Sequence, residues 1–421
     1  MKRTPLFVVA AVVCLFLATP SKAVPEFARK YNVTCNMCHT FIPRLNETGY
    51  MFKRLGYRMP PDISKGKEAV TIKQIDDPKW ELGDTVALVV QGSVTGSKSE
   101  QGSDKQQSWS FNLDNALLFL GGTLPKTNFS YLAEYKLYED GESGLETGYL
   151  QYEGGRASGS WFARLGKMHL QETEGFRASD PLGFTSEGPL MFTWADPNSF
   201  SLDQAPVGAA FGFTHTCADY KGVLGLTLKV TNGLAADGSE ITQDSQRKKK
   251  DIWFEGDYLF GTKGAISVMA MRAYKDQIQN AGTEGEFTFQ PTVDRYGIFG
   301  NIMPFGEKLD LIGAWMHGKD DWQDEATGPA LTYKSDSWYG EVNYYIDDGL
   351  VAVGRYDRLK ETIDNAGGDT TTQAWTVAVL KALTDMGNVR ARLEYRDMKT
   401  TYPAADELKD KQLRFDVLFG W

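Results

Sequence analysis

The sequence contains little cysteine or histidine and has no excess of positive charge. Four cysteines in 421 residues are too few for a disulfide framework. The net charge of −10 and the pI of about 5.1 argue against nucleic acid as a partner, because nucleic acid calls for a basic surface. After residue 23 no apolar run approaches the ~20 residues that a membrane helix needs. A helical membrane protein is therefore excluded, whereas a membrane β-barrel is not, because its strands alternate apolar and polar side chains.

The first 23 residues have the pattern of an export signal. Lys2 and Arg3 precede an apolar stretch from Leu6 to Ala18, and Ser21-Lys-Ala23 is a small-residue cleavage site. This stretch is too short to span a bilayer, so we expect residues 1–23 to be removed. Cys14 would be lost with them. The mature chain would carry a net charge of −13 and the cysteines Cys35, Cys38 and Cys217.

From about residue 80 onward, segments of roughly ten residues alternate in hydrophobicity and are separated by turn residues, which is typical of a β-barrel. In the segment 389–396 the apolar residues are Val389, Ala391, Leu393 and Tyr395, and the residues between them are charged. We predict sixteen antiparallel strands, an even number that a closed single-chain barrel requires. The predicted strands are 84–96, 107–120, 127–138, 145–153, 159–168, 206–217, 222–232, 250–260, 264–275, 288–302, 308–317, 331–346, 349–360, 371–383, 387–398 and 410–421.

Connection lengths and aromatic residues favour a membrane barrel over a soluble sandwich. Short turns alternate with long polar loops, which matches the periplasmic and extracellular ends of an outer-membrane barrel and places both termini in the periplasm. The chain ends on Trp421, after an amphipathic strand, as bacterial outer-membrane barrels do. The longest connection, 169–205, could fold into the lumen or cap the surface. Aromatic residues crowd the strand ends, as interfacial girdles require: Trp161, Tyr258, Phe260, Trp338, Tyr344 and Trp375.

The motif that carries chemistry is Cys35-Asn-Met-Cys38-His39, a C-x-x-C-H haem-attachment sequence. Two thiols at this spacing can both reach the vinyl groups of one haem, and His39 can then serve as an axial ligand of the iron. A thioredoxin-type motif would need a βαβ pattern, which is absent. A zinc site would need a second ligand pair, and His169, His215 and His317 are scattered over the barrel segments.

The second axial ligand of the iron is left open by the sequence. Met51 and Met59 are the nearest methionines, and a methionine ligand raises the reduction potential of a haem. Each could instead be an ordinary packing residue near Phe52 and Leu55. A barrel side chain or a water could also complete the coordination.

The N-terminal residues resemble the haem head of the fused cytochrome–porin iron oxidases. The matching residues are Pro25-x-Phe-Ala-Arg29, Cys35-x-x-Cys-His39, Pro43-x-Leu-Asn46, Gly49, Phe52-Lys53 and Gly56-Tyr57. Proteins of this family lie in the outer membrane of iron-oxidising bacteria and join one c-type haem head to a sixteen-stranded barrel. The resemblance implies a small helical haem head at 24–73 and a porin-like barrel at 74–421. It also implies oxidation of extracellular Fe(II), with one covalently attached haem c passing the electron to a periplasmic soluble cytochrome.

A head of about 50 residues is too small to wrap a haem alone, and a sixteen-stranded barrel has a lumen wide enough to hold it. We therefore expect the head to plug the lumen, with outer-membrane lipid around the barrel. Two other functions stay open. The conduit could run outward and reduce extracellular acceptors, or the chain could be a diffusion porin with a haem-bearing plug.

Charged residues give two further expectations. The strand pattern places fifteen charged residues in the lumen, among them an arginine cluster that could pair with haem propionates. That cluster is Arg390, Arg392, Arg396 and Arg414. Acidic residues in the predicted extracellular loops could attract Fe²⁺, although solvated loops commonly carry such residues. These residues are Glu139, Asp140, Glu142, Asp320, Asp321, Asp324, Glu325, Asp406 and Glu407.

Overall fold

The structure is a computed structural model dominated by one closed sheet of antiparallel strands. It describes residues 26–41, 44–61, 71–72, 75, 85–139, 142–169, 184–193, 202, 205–217, 222–233, 249–274, 277–279, 287–289, 292–322, 331–347, 349–363, 368–384 and 388–420. The predicted export signal and Trp421 lie outside these residues.

Sixteen strands form the barrel, and the last pairs with the first. The strands are β1 Val86–Gln101, β2 Asp104–Thr123, β3 Phe129–Glu139, β4 Glu142–Arg156, β5 Gly159–Lys167, β6 Val207–Thr216, β7 Val223–Thr231, β8 Asp251–Leu259, β9 Gly264–Tyr274, β10 Thr292–Ile302, β11 Leu309–Trp322, β12 Leu331–Asp347, β13 Leu350–Ile363, β14 Asp369–Ala382, β15 Val389–Thr401 and β16 Leu408–Gly420. Each neighbouring pair is antiparallel, so the predicted closed antiparallel barrel and its number of strands are confirmed.

The two faces of the barrel differ in the way that the sequence pattern predicts. Outward side chains are largely apolar and exposed, including the predicted girdle residues Trp161, Tyr258, Trp338, Tyr344 and Trp375. Inward side chains are polar and buried. Twelve of the fifteen predicted lumen residues are buried: Arg164, Glu255, Asp257, Arg295, Glu341, Arg355, Asp357, Arg390, Arg392, Glu394, Arg414 and Asp416. Such a distribution is typical of a barrel in lipid. Among the described residues, no helix is long and apolar enough to cross a membrane.

The strands at one rim are longer than predicted. β1 pairs with β2 along its whole length, but the pairing of β2 with β3 begins only at Asn115. Most residues from Gln101 to Leu113 are exposed whichever face of the strand they occupy. β2 therefore extends beyond its pairing with β3, and Trp109 and Phe111 are exposed on this extension.

The N-terminal segment, residues 26–61, is compact and mostly helical or irregular. Helix α1 spans Glu26–Tyr31 and helix α2 spans Glu47–Arg54. Between them lie a 3₁₀ turn at Cys35–Met37 and a short ladder that joins His39–Phe41 to Arg44–Leu45. Asn46 caps α2, because its side-chain oxygen accepts a hydrogen bond from the Gly49 N–H at 3.0 Å.

Part of the long connection between β5 and β6 lies inside the barrel, which resolves the two alternatives in favour of inward folding. We call residues 184–193 the inward segment; it includes the short helix α3, Leu190–Thr193. Its Ser186 N–H donates to Glu394 Oε2 at 2.7 Å, and the Arg355 guanidinium donates to the Glu187 carbonyl at 2.9 Å. Phe184 packs among buried apolar side chains of β12, β13 and β14.

Other described elements are short. They are a 3₁₀ turn at Gly261–Lys263, a hairpin of Gln277–Gln279 with Phe287–Phe289, and an extended stretch at Pro304–Glu307.

Candidate haem-attachment site

The C-x-x-C-H motif forms a tight turn. The Cys38 N–H donates to the Cys35 carbonyl at 3.1 Å, and the Met37 N–H donates to the Thr34 carbonyl at 3.0 Å. Both thiols are free, with Cys35 buried and Cys38 half-buried. His39 follows at once in the short ladder, where it is paired with Leu45. Two thiols and an imidazole, the groups that covalent haem attachment uses, therefore lie within one turn of backbone.

Helix α2 holds this turn by close backbone contact. The Asn46 N–H donates to the Cys38 carbonyl at 2.9 Å, and the Asn46 side-chain amide donates to the Met37 carbonyl at 3.2 Å. A Cβ at Gly49 would lie 2.2 Å from the Cys38 carbonyl oxygen, so only glycine allows this approach. The turn is thus a backbone cradle with two unlinked thiols on it. These residues fit a covalently bound haem c.

Burial affects the acidity of groups at this site. It raises the pKa of the Cys35 thiol, and burial together with the neighbouring Cys35 raises the pKa of Cys38 to about 11. Both thiols are therefore protonated at neutral pH. Glu47, in the first turn of α2, also has a pKa raised by burial.

Four aromatic rings form the interior of the N-terminal segment. Phe27 stacks on Tyr57 with ring centroids 4.8 Å apart and meets Phe52 edge-on at 5.1 Å. Tyr31 meets Phe52 at 5.5 Å, and its hydroxyl donates to the Tyr57 carbonyl at 2.7 Å. Aromatic packing of this kind fixes α1 against α2.

The two candidate distal methionines have different surroundings. Met51 is buried in a cluster that includes Leu55 of the N-terminal segment and Val223, Leu259 and Ala265 of the wall. Met59 is half-buried beyond the end of α2. Met51 therefore has a packing role, and the identity of the distal ligand stays a prediction.

Buried polar contacts attach the N-terminal segment to the inner wall. Arg58 Nη1 lies 2.9 Å from Glu153 Oε2, and the side chains of both residues are almost completely buried. Lys30 Nζ donates to Thr123 Oγ1 at 3.1 Å. The hydroxyls of Tyr57 and Tyr149 are 2.5 Å apart.

Arg54, at the end of α2, is the most connected of these residues. Its Nε donates to Thr214 Oγ1 at 2.6 Å and its Nη1 to Thr227 Oγ1 at 3.1 Å. Its Nη2 donates to the carbonyls of Phe213 and Leu226, each at 2.8 Å. One guanidinium thus joins the N-terminal segment to two adjacent strands, β6 and β7.

The sequence did not single out Arg54, Arg58 or Lys30. Their partners on the wall lie between 69 and 173 residues away in the chain. No local sequence pattern predicts contacts over such separations. The inward-facing Glu153 of β4 was the one available signal, because a lone acidic residue in a buried position calls for a cationic partner.

Three members of the predicted arginine cluster pair with carboxylates of the protein. Arg392 Nε lies 2.8 Å from Asp416 Oδ2, and Arg414 Nη2 lies 2.9 Å from Asp114 Oδ2. Arg396 lies 3.8 Å from Glu187 of the inward segment. These ion pairs join strands of the wall to one another and join the inward segment to the wall.

Asp320 and Asp321 lie in a strand and not in a loop, contrary to the prediction. β11 continues to Trp322, so Asp320 faces the lumen, fully buried, and forms a two-pronged ion pair with Arg295. Asp321 is exposed, and Glu407 pairs with Lys399 at 2.7 Å. Glu139 and Glu142 are paired strand ends and not loop residues, and Asp140, Asp324 and Glu325 lie outside the described residues. Within the described part of the chain, no group of three or more acidic, histidine or cysteine side chains could hold a metal ion.

Comparison with known proteins supports the fold alone. No protein-family model matches the sequence, and no curated protein is significantly similar to it. Among solved structures, the anion-selective porin of Comamonas acidovorans is similar, with 13% identity and a TM-score of 0.55 over 80% of this chain and 99% of the porin. The outer-membrane channel DcaP of Acinetobacter baumannii matches with 9% identity and a TM-score of 0.54, over 80% of this chain and 96% of the channel. This chain has the fold of an outer-membrane porin.

Proposed function

We propose that this protein is an outer-membrane electron-transfer protein that oxidises extracellular Fe(II) through one covalently attached haem c. Cys35 and Cys38 would hold the haem by thioether bonds, and His39 would be an axial ligand of its iron. A bound haem supplies a one-electron redox centre, which matches the Fe²⁺/Fe³⁺ couple. The electron would pass to a soluble periplasmic cytochrome.

The observation that carries this proposal is the position of the motif. A C-x-x-C-H turn with two free thiols is fixed by Asn46 and Gly49 in a segment that is attached to the inside of a sixteen-stranded barrel. The porin-like fold of the wall supports an outer-membrane location. The N-terminal segment is therefore proposed as a plug that carries the haem head, with the wall shielding what the small head cannot cover.

The residues of this chain would do the remaining work by burial and positioning. The aromatic rings of Phe27, Phe52 and Tyr57 exclude water from the core of the head. Arg58 and Glu153 hold the head at one place on the wall. No side chain needs to move a proton for a one-electron transfer.

The test is stopped-flow absorbance of the purified protein mixed with Fe(II). Reduction of the haem should appear in the visible spectrum of the wild-type protein and of the matched control Cys217→Ser, which removes the other free thiol. Cys38→Ala should lose one thioether bond to the haem, and His39→Ala should lose the fast reduction of the haem by Fe(II). Haem that is attached but never reduced by Fe(II) would contradict the proposal.

The direction of electron flow has its own test. A conduit that reduces extracellular acceptors would need a haem of low potential. Potentiometric titration of the haem decides between the two directions, since a potential far below zero would favour outward flow.

A diffusion porin with a haem-bearing plug is the second candidate, favoured by the porin-like fold. Both the N-terminal segment and the inward segment lie in the lumen, which supports a closed pore. Planar-bilayer recordings separate the two functions, because large open-channel currents from the wild-type protein would indicate diffusion.

A further inference from the structure

A cleft between α2 and the wall gathers three cationic side chains. It is lined by Tyr50, Lys53, Arg54, Phe162, Arg164 and Glu255. Lys53 and Arg54 come from the end of α2, and Arg164 comes from β5. The one acidic residue, Glu255, has its own cation, because Lys229 Nζ lies 3.5 Å from its Oε2. The cleft is therefore positively charged overall.

Arg54 gives a second reason to expect an anion there. Its side chain is buried, and its four hydrogen bonds all go to neutral acceptors, two threonine hydroxyls and two backbone carbonyls. A guanidinium has five N–H donors, so one donor is still available. Burying a cation without an anionic partner is costly, and an anion in the cleft would remove that cost.

The position of the cleft relates it to the haem-attachment turn. Gly49 faces the Cys38 carbonyl, and Lys53 follows four residues later on nearly the same face of α2. At 1.5 Å per residue, Lys53 lies about 6 Å farther along the helix axis. A haem carries its vinyl groups and its two propionates on opposite edges, so a haem held at Cys35 and Cys38 must direct its carboxylates away from them.

We propose that Lys53, Arg54 and Arg164 form the binding site for the haem propionates, which rests on the proposed function. This site replaces the arginine cluster of β15 and β16, whose members Arg392 and Arg414 already pair with Asp416 and Asp114. The carboxylates would accept hydrogen bonds from the ammonium and guanidinium groups. Phe162, which lies 5.2 Å from the Arg54 guanidinium and 5.1 Å from that of Arg164, would keep the site dry.

The experiment measures the reduction potential of the attached haem in Lys53→Gln and Lys53→Arg. Propionate charge favours the oxidised haem, and a nearby cation offsets it, so Lys53→Gln should lower the potential. We expect about a tenfold change in the ratio of reduced to oxidised haem, which is 59 mV for one electron. Lys53→Arg should restore the wild-type value. The matched control is Arg396→Gln, which removes one lumen cation outside the cleft and should shift the potential much less.

Three outcomes would contradict the proposed propionate-binding site. One is an equal shift in Lys53→Gln and Arg396→Gln, and another is no shift in Lys53→Gln. The third is a wild-type potential that changes with added phosphate at constant ionic strength, which would mean that the cleft takes a free anion. Arg164→Gln repeats the test on a wall residue; if it fails to fold, the two Lys53 variants decide. Absence of covalent haem from the wild-type protein would instead refute the proposed function.

Discussion

The guanidinium of Arg58 and the carboxylate of Glu153 form a buried ion pair, 2.9 Å apart, that joins the N-terminal segment to β4. Ser130 and Gln151 also donate to Glu153, and Arg58 also donates to the Thr127 carbonyl at 2.9 Å. Every charged oxygen and most N–H groups at this junction are therefore satisfied. The attachment of the segment depends on both partners, because either one alone would be a buried, uncompensated charge.

Removal of Arg58 should loosen the N-terminal segment. Arg58→Met leaves Glu153 buried without its cation, and we expect a loss of about 3–5 kcal/mol in the free energy of unfolding. Chemical denaturation followed by tyrosine and tryptophan fluorescence measures this loss. The double variant Arg58→Met/Glu153→Gln removes both charges and should recover at least half of it. A double variant as unstable as Arg58→Met would show that the pair acts through packing instead of charge.

The backbone cradle at Gly49 can be tested by adding one methyl group. In Gly49→Ala the new Cβ would meet the Cys38 carbonyl oxygen at 2.2 Å, so α2 and the haem-attachment turn must separate. Forced overpacking of this kind costs about 1–3 kcal/mol, and we expect most of the covalent haem to be lost. Haem per polypeptide, from the pyridine haemochrome spectrum, measures the effect. Gly340→Ala, where an added Cβ meets nothing within 4 Å, should keep its haem.

The stability of the N-terminal segment should depend on pH through Glu47. Burial raises the pKa of Glu47 above its ordinary value of 4.5, so the folded protein binds this proton more tightly than the unfolded chain. The stabilising contribution is full below the unfolded pKa and is lost as the pH rises through the folded pKa. Glu47→Gln should therefore be more stable than the wild type at pH 8, and the difference should vanish near pH 4. A difference in midpoint denaturant concentration that is independent of pH would contradict this.

The inward segment should be released by a change at Glu394. This carboxylate accepts hydrogen bonds from the Ser186 N–H at 2.7 Å and from the Ser186 hydroxyl, and bonds to a charged group contribute about 1.5–3 kcal/mol each. Glu394→Ala should therefore raise the single-channel conductance in planar bilayers. Glu361→Ala removes another acidic residue, whose partner is Tyr333 at 2.7 Å, and should leave the conductance low. Equal conductance in the two variants would mean that the inward segment does not limit the pore.

The barrel was largely predictable because one physical requirement repeats along the chain. Each strand must alternate lipid-facing and lumen-facing side chains, and this period survives in segments such as β15 and β16 without any long-range information. The errors in predicted strand length lie where side chains no longer alternate between lipid and the lumen. Where β2 extends beyond β3 it is exposed on both faces and has no reason to alternate, so the sequence pattern predicts too short a strand there.

The site was predictable only where it is local in sequence. Cys35, Cys38 and His39 fall within five consecutive residues and form a motif that can be recognised without any long-range information. Attachment of the segment to the wall was not predictable residue by residue, because Arg54 and Arg58 look like ordinary helix-end cations that favour a C-terminus. Asp320 was misplaced for a related reason. Its partner Arg295 lies in the neighbouring strand β10, and an acidic residue near a predicted loop carries no sign of that pairing.

β2 extends farther than β3, which leaves part of β2 without a strand partner on one side. Among the described residues, no backbone pairs with Asp104–Asp114 on the side away from β1. Unpaired edges are templates for another extended chain, and charged side chains discourage such pairing; Asp104 and Lys105 are exposed charged residues on this edge. A closed ring of strands normally offers no edge to another chain, whereas this part of β2 has a described strand partner on one side only.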